Sequence, residues 1–203
     1  MPAKKNIAVL ASGSGTNFQA LVKAIGKQKL KAKISLLITD KKNSFVRKRA
    51  KNLGIRDIFI NPKEFKSDRE FNREIVKVLK KERIDLVILA GYMRVISPFF
   101  VKSFNNKILN IHPSILPAFK GTEAISRAFK YGCMVTGVTV HFIDEKIDHG
   151  PIILQETVEI KKGMSEEKLE EKIHRLEHKL YPQALKIILD KKVRLRGRHV
   201  EII

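Results

Sequence analysis

A chain of 203 residues is long enough to bury a sizeable core as one large domain. Its single cysteine, Cys133, excludes an intramolecular disulfide and a thiolate zinc site; with no signal peptide and no apolar run of spanning length, it is expected to be cytoplasmic, without a membrane partner. Lys and Arg number 41 against 21 Asp and Glu, a formal net charge of +20, and the excess lies mainly in residues 1–100, which hold 23 basic and 8 acidic side chains.

The first apolar run, 7–11, passes into Ser12-Gly13-Ser14-Gly15-Thr16-Asn17 and then a helical pattern from Asn17. A glycine-containing turn that opens a helix lets backbone N–H groups approach an anion, which the helix dipole also favours. Position 18 is Phe, so the third glycine of the dinucleotide fingerprint is missing, and no Gly-Lys-Ser/Thr follows to make a Walker loop. A phosphate cradle and a plain tight turn are both open readings. Gly13, Ser14, Gly15, Thr16 and Asn17 are the binding candidates, with Asn17 alternatively the helix N-cap. A β-carbon at Gly15 should crowd an anion and leave the fold intact.

Strands at 34–39 and 58–60 alternate with helices at 44–53 and 68–81, which is the rhythm of βαβ units. Residues 85–90, Asp-Leu-Val-Ile-Leu-Ala, form a continuous apolar run, as a central parallel strand covered on both faces requires, and Gly91 ends it. A short strand at 107–111 is stopped by Pro113. A helix over 122–131, strands at 135–143 and 152–160, and a long helix at 165–189 follow. That helix opens on Ser165 with acids in its first turn and carries the stripe Leu169, Ile173, Leu176, Leu180; Pro182 is expected to bend or interrupt it. A hairpin around Gly197 joins 193–195 to 200–202. The fold class expected is α/β: one doubly wound domain, mostly parallel, with helices on both faces.

Chemistry concentrates at Asn110-Ile111-His112 and at Asp148. Alternate residues of a strand share a face, so Asn110 and His112 leave the strand end together. The amide can donate to a developing oxyanion, and a carboxylate beside the imidazole can orient and charge it. The bland alternative is a hydrogen-bonded histidine at a strand end. Metal is not expected, since the six histidines include no His-Glu-x-x-His and the pair His174 and His178 lacks a third ligand nearby in sequence. No Gly-x-Ser-x-Gly elbow exists for a serine hydrolase.

Charge alone supports a basic nucleic-acid-binding protein, the non-enzyme alternative. Lys23, Lys27, Lys29, Lys31 and Lys33 are scattered over helix faces and loops without interleaved aromatics, so no specific nucleic-acid partner is expected. The positive field would still draw in anionic small molecules.

Taken in order, residues 11–17, Leu89-Ala90-Gly91-Tyr92-Met93-Arg94, Leu109-Asn110-Ile111-His112-Pro113-Ser114-Ile115-Leu116-Pro117, Asp148-His149-Gly150-Pro151-Ile152 and Glu177-His178-Lys179-Leu180-Tyr181-Pro182 resemble the phosphoribosylglycinamide formyltransferase family, folate-dependent enzymes of purine biosynthesis. The match runs from about residue 6 to 196. The Asn-x-His-Pro-Ser and Asp-x-Gly-Pro elements are shared with a wider group of 10-formyltetrahydrofolate enzymes. The resemblance implies a Rossmann-like formyltransferase domain over residues 1–203, with a phosphate-binding half at about 1–100 and a catalytic and folate-binding half at about 101–203. It further implies one-carbon transfer from 10-formyltetrahydrofolate, a co-substrate, to the amine of glycinamide ribonucleotide, with no tightly bound cofactor and no metal. Asn110, His112 and Asp148 would be catalytic. Gly13, Ser14, Gly15, Thr16 and Asn17 would hold phosphate, and Glu177 the glycinamide end. Without the resemblance Glu177 reads as a solvated helix charge. Arg69, Met93, Arg94, Val95 and Asn110 would meet the folate; Met93 reads equally well as core filler. Where the family often has a histidine two residues beyond Gly121, this chain has Glu123. Another formyltetrahydrofolate-dependent transferase or hydrolase is the alternative activity, and a homodimer is an open assembly.

Overall fold

The structure, a computed structural model, describes residues 4–191 and 193–203. The chain divides into two compact units, Met1–Leu109 and Asn110–Ile203. A seven-stranded, mostly parallel sheet runs in the order β3-β2-β1-β4-β5-β6-β7, and β8 and β9 form a separate pair.

The first unit contains β1 (Lys5–Leu10), α1 (Thr16–Lys27), β2 (Ala32–Thr39), α2 (Phe45–Asn52), β3 (Asp57–Phe59), α3 (Asp68–Lys81), β4 (Leu86–Leu89) and α4 (Pro98–Ser103). β5 (Ile108–His112) begins in it. β1 pairs in parallel with β2 on one side and β4 on the other, and β2 pairs in parallel with β3. The chain thus moves outward from β1 to β3 and returns to the far side of β1. Right-handed crossovers then place α1 and α2 on one face and α3 on the opposite face. Ile7, Ala8, Val9 and Leu10 are fully buried, as are Val87 and Ile88, which is why these strands read as unbroken apolar runs. Reversal of strand order between β1 and β4 opens a crevice at their carboxyl ends, the usual ligand position in open α/β sheets.

Two short elements went unread in the sequence, α4 and a 3-10 turn at Pro62–Glu64. Neither is long enough to show a period. Each starts with proline after a capping side chain: Asn61 Oδ1 accepts from Lys63 N, and Ser97 Oγ from Phe100 N.

The second unit contains the end of β5, α5 (Ala124–Tyr131), β6 (Val135–Phe142), β7 (Ile152–Glu159), α6 (Glu166–Asp190), β8 (Val193–Arg196) and β9 (His199–Ile202). β6 and β7 are antiparallel, and α6 packs on both and on α5. Ser165 caps α6, its Oγ accepting from Lys168 N. Two expectations need correction here. Of the two effects expected of Pro182, the interruption does not occur, since α6 continues to Asp190. The proline forfeits one backbone hydrogen bond, but Leu180, Tyr181, Pro182, Ala184 and Leu185 are all buried, so packing outweighs propensity. α5 starts at Ala124 instead of 122 because Glu123 is left-handed, at φ 56°.

Candidate active site

Within the second unit, the strand end and the loop after β6 meet on one carboxylate. Asp148 Oδ2 accepts from Gly121 N at 2.7 Å and lies 3.4 Å from His112 Nδ1; Oδ1 lies 3.4 Å from Asn110 Nδ2 and 3.8 Å from His141 Nε2. Its side chain is nearly buried. His112 Nε2 sits 2.9 Å from Phe119 O and must donate to it, because a carbonyl only accepts. Both ring nitrogens therefore face oxygens, Nε2 through a hydrogen bond and Nδ1 across an ion-pair distance to the Asp148 carboxylate.

His141 is a member of this cluster that the sequence did not single out. Its Nδ1 donates to Phe142 O at 2.8 Å, which leaves Nε2 to accept from Asn110 Nδ2 at 3.2 Å. Burial pushes its pKa below the ordinary histidine value, against the Phe142 carbonyl and the Asp148 charge, so the ring is neutral as this bonding requires. The amide orientation of Asn110 follows: its NH2 has two acceptors, His141 Nε2 and Asp148 Oδ1.

The loop carrying Phe119 and Gly121 is pinned to β6. Thr139 Oγ1 donates to Ser114 O at 2.7 Å and accepts from Leu116 N at 3.1 Å and Gln155 Nε2 at 2.9 Å. Gln155 also donates to Leu116 O. Glu123, just beyond, is exposed at the start of α5.

In the first unit, the Ser12–Asn17 turn leaves β1 at the crevice. Gly13 O accepts from Val46 N, Ser14 O from Arg49 Nε, and Gly15 O from Gln19 N. In a trans peptide the N–H points opposite its C=O. The N–H groups of Ser14, Gly15 and Thr16 therefore point away from these partners, an edge suited to an anion at the start of α1. Gly15, at φ 77°, is the α1 N-cap residue and Thr16 begins the helix. Asn17, buried inside the first turn, is not the N-cap; glycine reaches the left-handed cap conformation that a side chain resists.

Gly15 is also demanded by packing: a β-carbon there would lie 2.4 Å from Val46 Cγ2. The expectation that a β-carbon at Gly15 leaves the fold intact is revised accordingly. Gly15→Ala should lower unfolding stability by about 1–3 kcal/mol through strain and overpacking, and also raise the KM for a phosphorylated substrate. Denaturant unfolding and steady-state kinetics check both; an unchanged KM in the folded variant contradicts the cradle.

The turn after β4 is tied to the same loop. Ser12 N donates to Gly91 O, and Met93 N to Ser12 Oγ, each at 3.0 Å. Met93 is 72% exposed and Val95 65%, which ends the core-filler reading of Met93. Asn72, buried on α3, accepts from Ser97 N and donates to Val95 O. Met93 N–H and Val95 C=O are thus engaged internally. Arg94 pairs with Asp68 and stacks over Phe71, 5.1 Å from the ring centre. Arg69 is exposed on α3. Burial and the Asp40 charge push the Tyr92 hydroxyl far up, so it remains a neutral phenol.

Glu177 is buried in α6, with 7% of its side chain exposed, so it is no solvated helix charge. His174 Nδ1 lies 3.0 Å from Glu177 Oε2 and its Nε2 3.4 Å from Glu170 Oε1. Among the described residues, no group of three or more His, Cys, Asp or Glu is placed to hold a metal ion, and no helix is long and apolar enough to cross a membrane.

A family model described as formyl transferase matches residues 5–185. Phosphoribosylglycinamide formyltransferase of Bacillus subtilis (strain 168) is 41% identical over 185 residues, 91% of this chain and 95% of its own length. The chain belongs to the phosphoribosylglycinamide formyltransferases. A human trifunctional purine biosynthetic protein, adenosine-3, is 43% identical over 192 residues, 95% of this chain and 19% of that longer protein. The crystal structure of glycinamide ribonucleotide transformylase 1 from Symbiobacterium toebii superposes with a TM-score of 0.96 at 36% identity, covering 100% of this chain and 96% of that one. The mostly parallel α/β architecture expected from the sequence is the one shared with that structure.

In this formyltransferase the Glu177 hydrogen bond raises the His174 pKa above the ordinary value; burial opposes the shift, and Glu170 adds to it. A raised folded-state pKa means the stabilisation is fully present below the unfolded value, about 6.5, and is lost as pH rises through the folded one. His174→Gln should therefore lower stability relative to the parent near pH 5.5 and lose most of that difference near pH 9. Urea unfolding at the two pH values checks this, and a pH-independent difference would refute it.

Proposed function

We propose that this chain transfers the formyl group of 10-formyltetrahydrofolate to the amine of 5'-phosphoribosylglycinamide, giving formylglycinamide ribonucleotide and tetrahydrofolate. The observation that carries the reading is the Asp148 carboxylate within 3.4 Å of both Asn110 and His112. Attack of the amine nitrogen on the formyl carbon forms a C–N bond, places negative charge on the formyl oxygen and leaves a cationic nitrogen. Asn110 donates to that oxygen, and Asp148 takes the nitrogen's proton directly or through water. Collapse breaks the bond from the formyl carbon to the folate nitrogen, and the proton that Asp148 took is returned to that nitrogen through His112 or water, so that tetrahydrofolate leaves protonated; His112, with Asp148 beside it, supports the charge during both steps.

The remaining assignments rest on the resemblance and on local geometry. Gly13, Ser14, Gly15, Thr16 and Asn17 receive the phosphate, and Glu177, held by His174, the glycinamide portion. Peptide groups of Met93, Arg94 and Val95 read the folate ring, and Arg69 its glutamate tail. A folate carboxylate reaching Arg94 would have to compete with Asp68. Residues 1–203 act as one formyltransferase domain, cytoplasmic and without a resident cofactor; a homodimer is tested by sedimentation.

The deciding experiment measures tetrahydrofolate release with glycinamide ribonucleotide, initiator tRNA or water as acceptor. Glycinamide ribonucleotide alone should support rapid turnover. Preference for tRNA would indicate a different formyltransferase, and release with water alone a hydrolase. Tight, sequence-selective DNA binding at physiological salt without turnover would support the nucleic-acid alternative.

A further inference from the structure

The loop between β6 and β7, residues 143–151, carries Asp148 in a left-handed conformation, φ 44°, that few L-residues adopt. Its neck is closed by Phe142 N donating to Pro151 O at 2.8 Å. Gly150 presses against that neck so closely that a β-carbon would lie 1.9 Å from Phe142 O. Inside the loop, Asp144 Oδ1 accepts from Lys146 N at 3.0 Å, and Asp144 Oδ2 lies 2.6 Å from His149 Nδ1.

A carboxylate only accepts, so His149 Nδ1 carries the hydrogen and, in the neutral ring, Nε2 is an acceptor. Arg198 Nη1 lies 2.8 Å from that Nε2 and 3.0 Å from Nδ1; with the Nδ1 hydrogen turned to Asp144, Nε2 is the nitrogen that can accept from it. Arg198 belongs to the turn between β8 and β9, 49 residues further along the chain. Burial alone would raise the Asp144 carboxyl, but the His149 and Lys146 bonds and the charge of Arg198 hold it below the usual carboxylate range.

We propose that Asp144, His149 and Arg198 form a brace through which the C-terminal hairpin holds the loop and so fixes the Asp148 carboxylate against Gly121 N–H, Asn110 and His112. The inference rests on Asp148 being catalytic. All three are positioning residues, since each acts through the loop. A displacement of about 1 Å at a reacting group is enough to lower a rate up to a hundredfold.

The test measures kcat and both KM values for Arg198→Ala, Arg198→Lys and His149→Asn, with unfolding midpoints for each. Asn keeps a donor for Asp144 but removes the acceptor for Arg198, so His149→Asn and Arg198→Ala cut the same link. Each should lower kcat about tenfold with both KM values within about twofold, and the double variant should be no worse than either single change. Arg198→Lys, which retains a donor, should recover much of the loss. In an Asp148→Asn background, Arg198→Ala should leave the residual turnover unchanged. Wild-type kcat in folded Arg198→Ala and His149→Asn, or the same tenfold loss in the Asp148→Asn background, overturns the brace. Wild-type kcat in Asp148→Asn itself would instead overturn the catalytic reading of Asp148.

Discussion

Asp148→Asn should lower kcat by roughly 10²- to 10⁴-fold, the range associated with loss of a general acid or base, with both KM values little changed. The amide keeps the shape of the carboxylate, and its Oδ1 can still accept from Gly121 N, which now bonds Asp148 Oδ2 at 2.7 Å. Its NH2 would then face the Asn110 NH2, where Asp148 Oδ1 now accepts at 3.4 Å. Donor against donor should lower stability by only about 1 kcal/mol. What disappears is the negative charge 3.4 Å from His112 Nδ1 and the base for the amine proton. Because Asp148 acts partly through His112, combining Asp148→Asn with His112→Ala should lose clearly less than the sum of the two single losses. Single-turnover kinetics on the four proteins of the cycle decide it. Strict additivity would mean that the two residues work independently, and near wild-type turnover in Asp148→Asn would end the mechanism.

Strand periodicity made Asn110 and His112 legible together, since their shared face needs only the alternation of β5. Asp148 was reachable through its motif, although its left-handed backbone and its bond to Gly121 depend on a loop without periodicity. His141 left a fainter trace. Thr139 and His141 alternate with Val138, Val140 and Phe142 in a strand buried almost throughout, and a polar face inside such a strand marks a site or a hydrogen-bonded loop. Here it is both, with Thr139 holding residues 114–116 and His141 holding Asn110. Gly15 shows the opposite limit. Its φ of 77° and the proximity of Val46 account for the glycine without any ligand, so residue type alone does not separate cradle from tight turn. The direction of the neighbouring carbonyls separates them, and that is a tertiary fact. The interruption expected at Pro182 does not occur because helix propensity is a local quantity, whereas α6 is held by its buried face.

Asn110→Ala should cost on the order of 10²–10³ in kcat, roughly 3–4 kcal/mol, the scale found when an oxyanion donor is removed. The amide is aimed before substrate arrives. His141, kept neutral by burial and fixed in tautomer by Phe142 O, accepts one Nδ2 hydrogen at 3.2 Å. The other is directed at Asp148 Oδ1 across 3.4 Å, a long and weak bond. It is therefore the hydrogen that a developing oxyanion would recruit, at little expense to the resting arrangement. As the charge appears only on the way to the tetrahedral intermediate, the loss should fall on kcat and leave both KM values near their original levels. Asn110→Asp, equal in shape but without the NH2, should be at least as impaired as Asn110→Ala, since it sets a second carboxylate against Asp148 and the forming oxyanion. A loss confined to KM would make Asn110 a ground-state binding group, and wild-type kcat in Asn110→Asp would show that the oxyanion is met by some other donor.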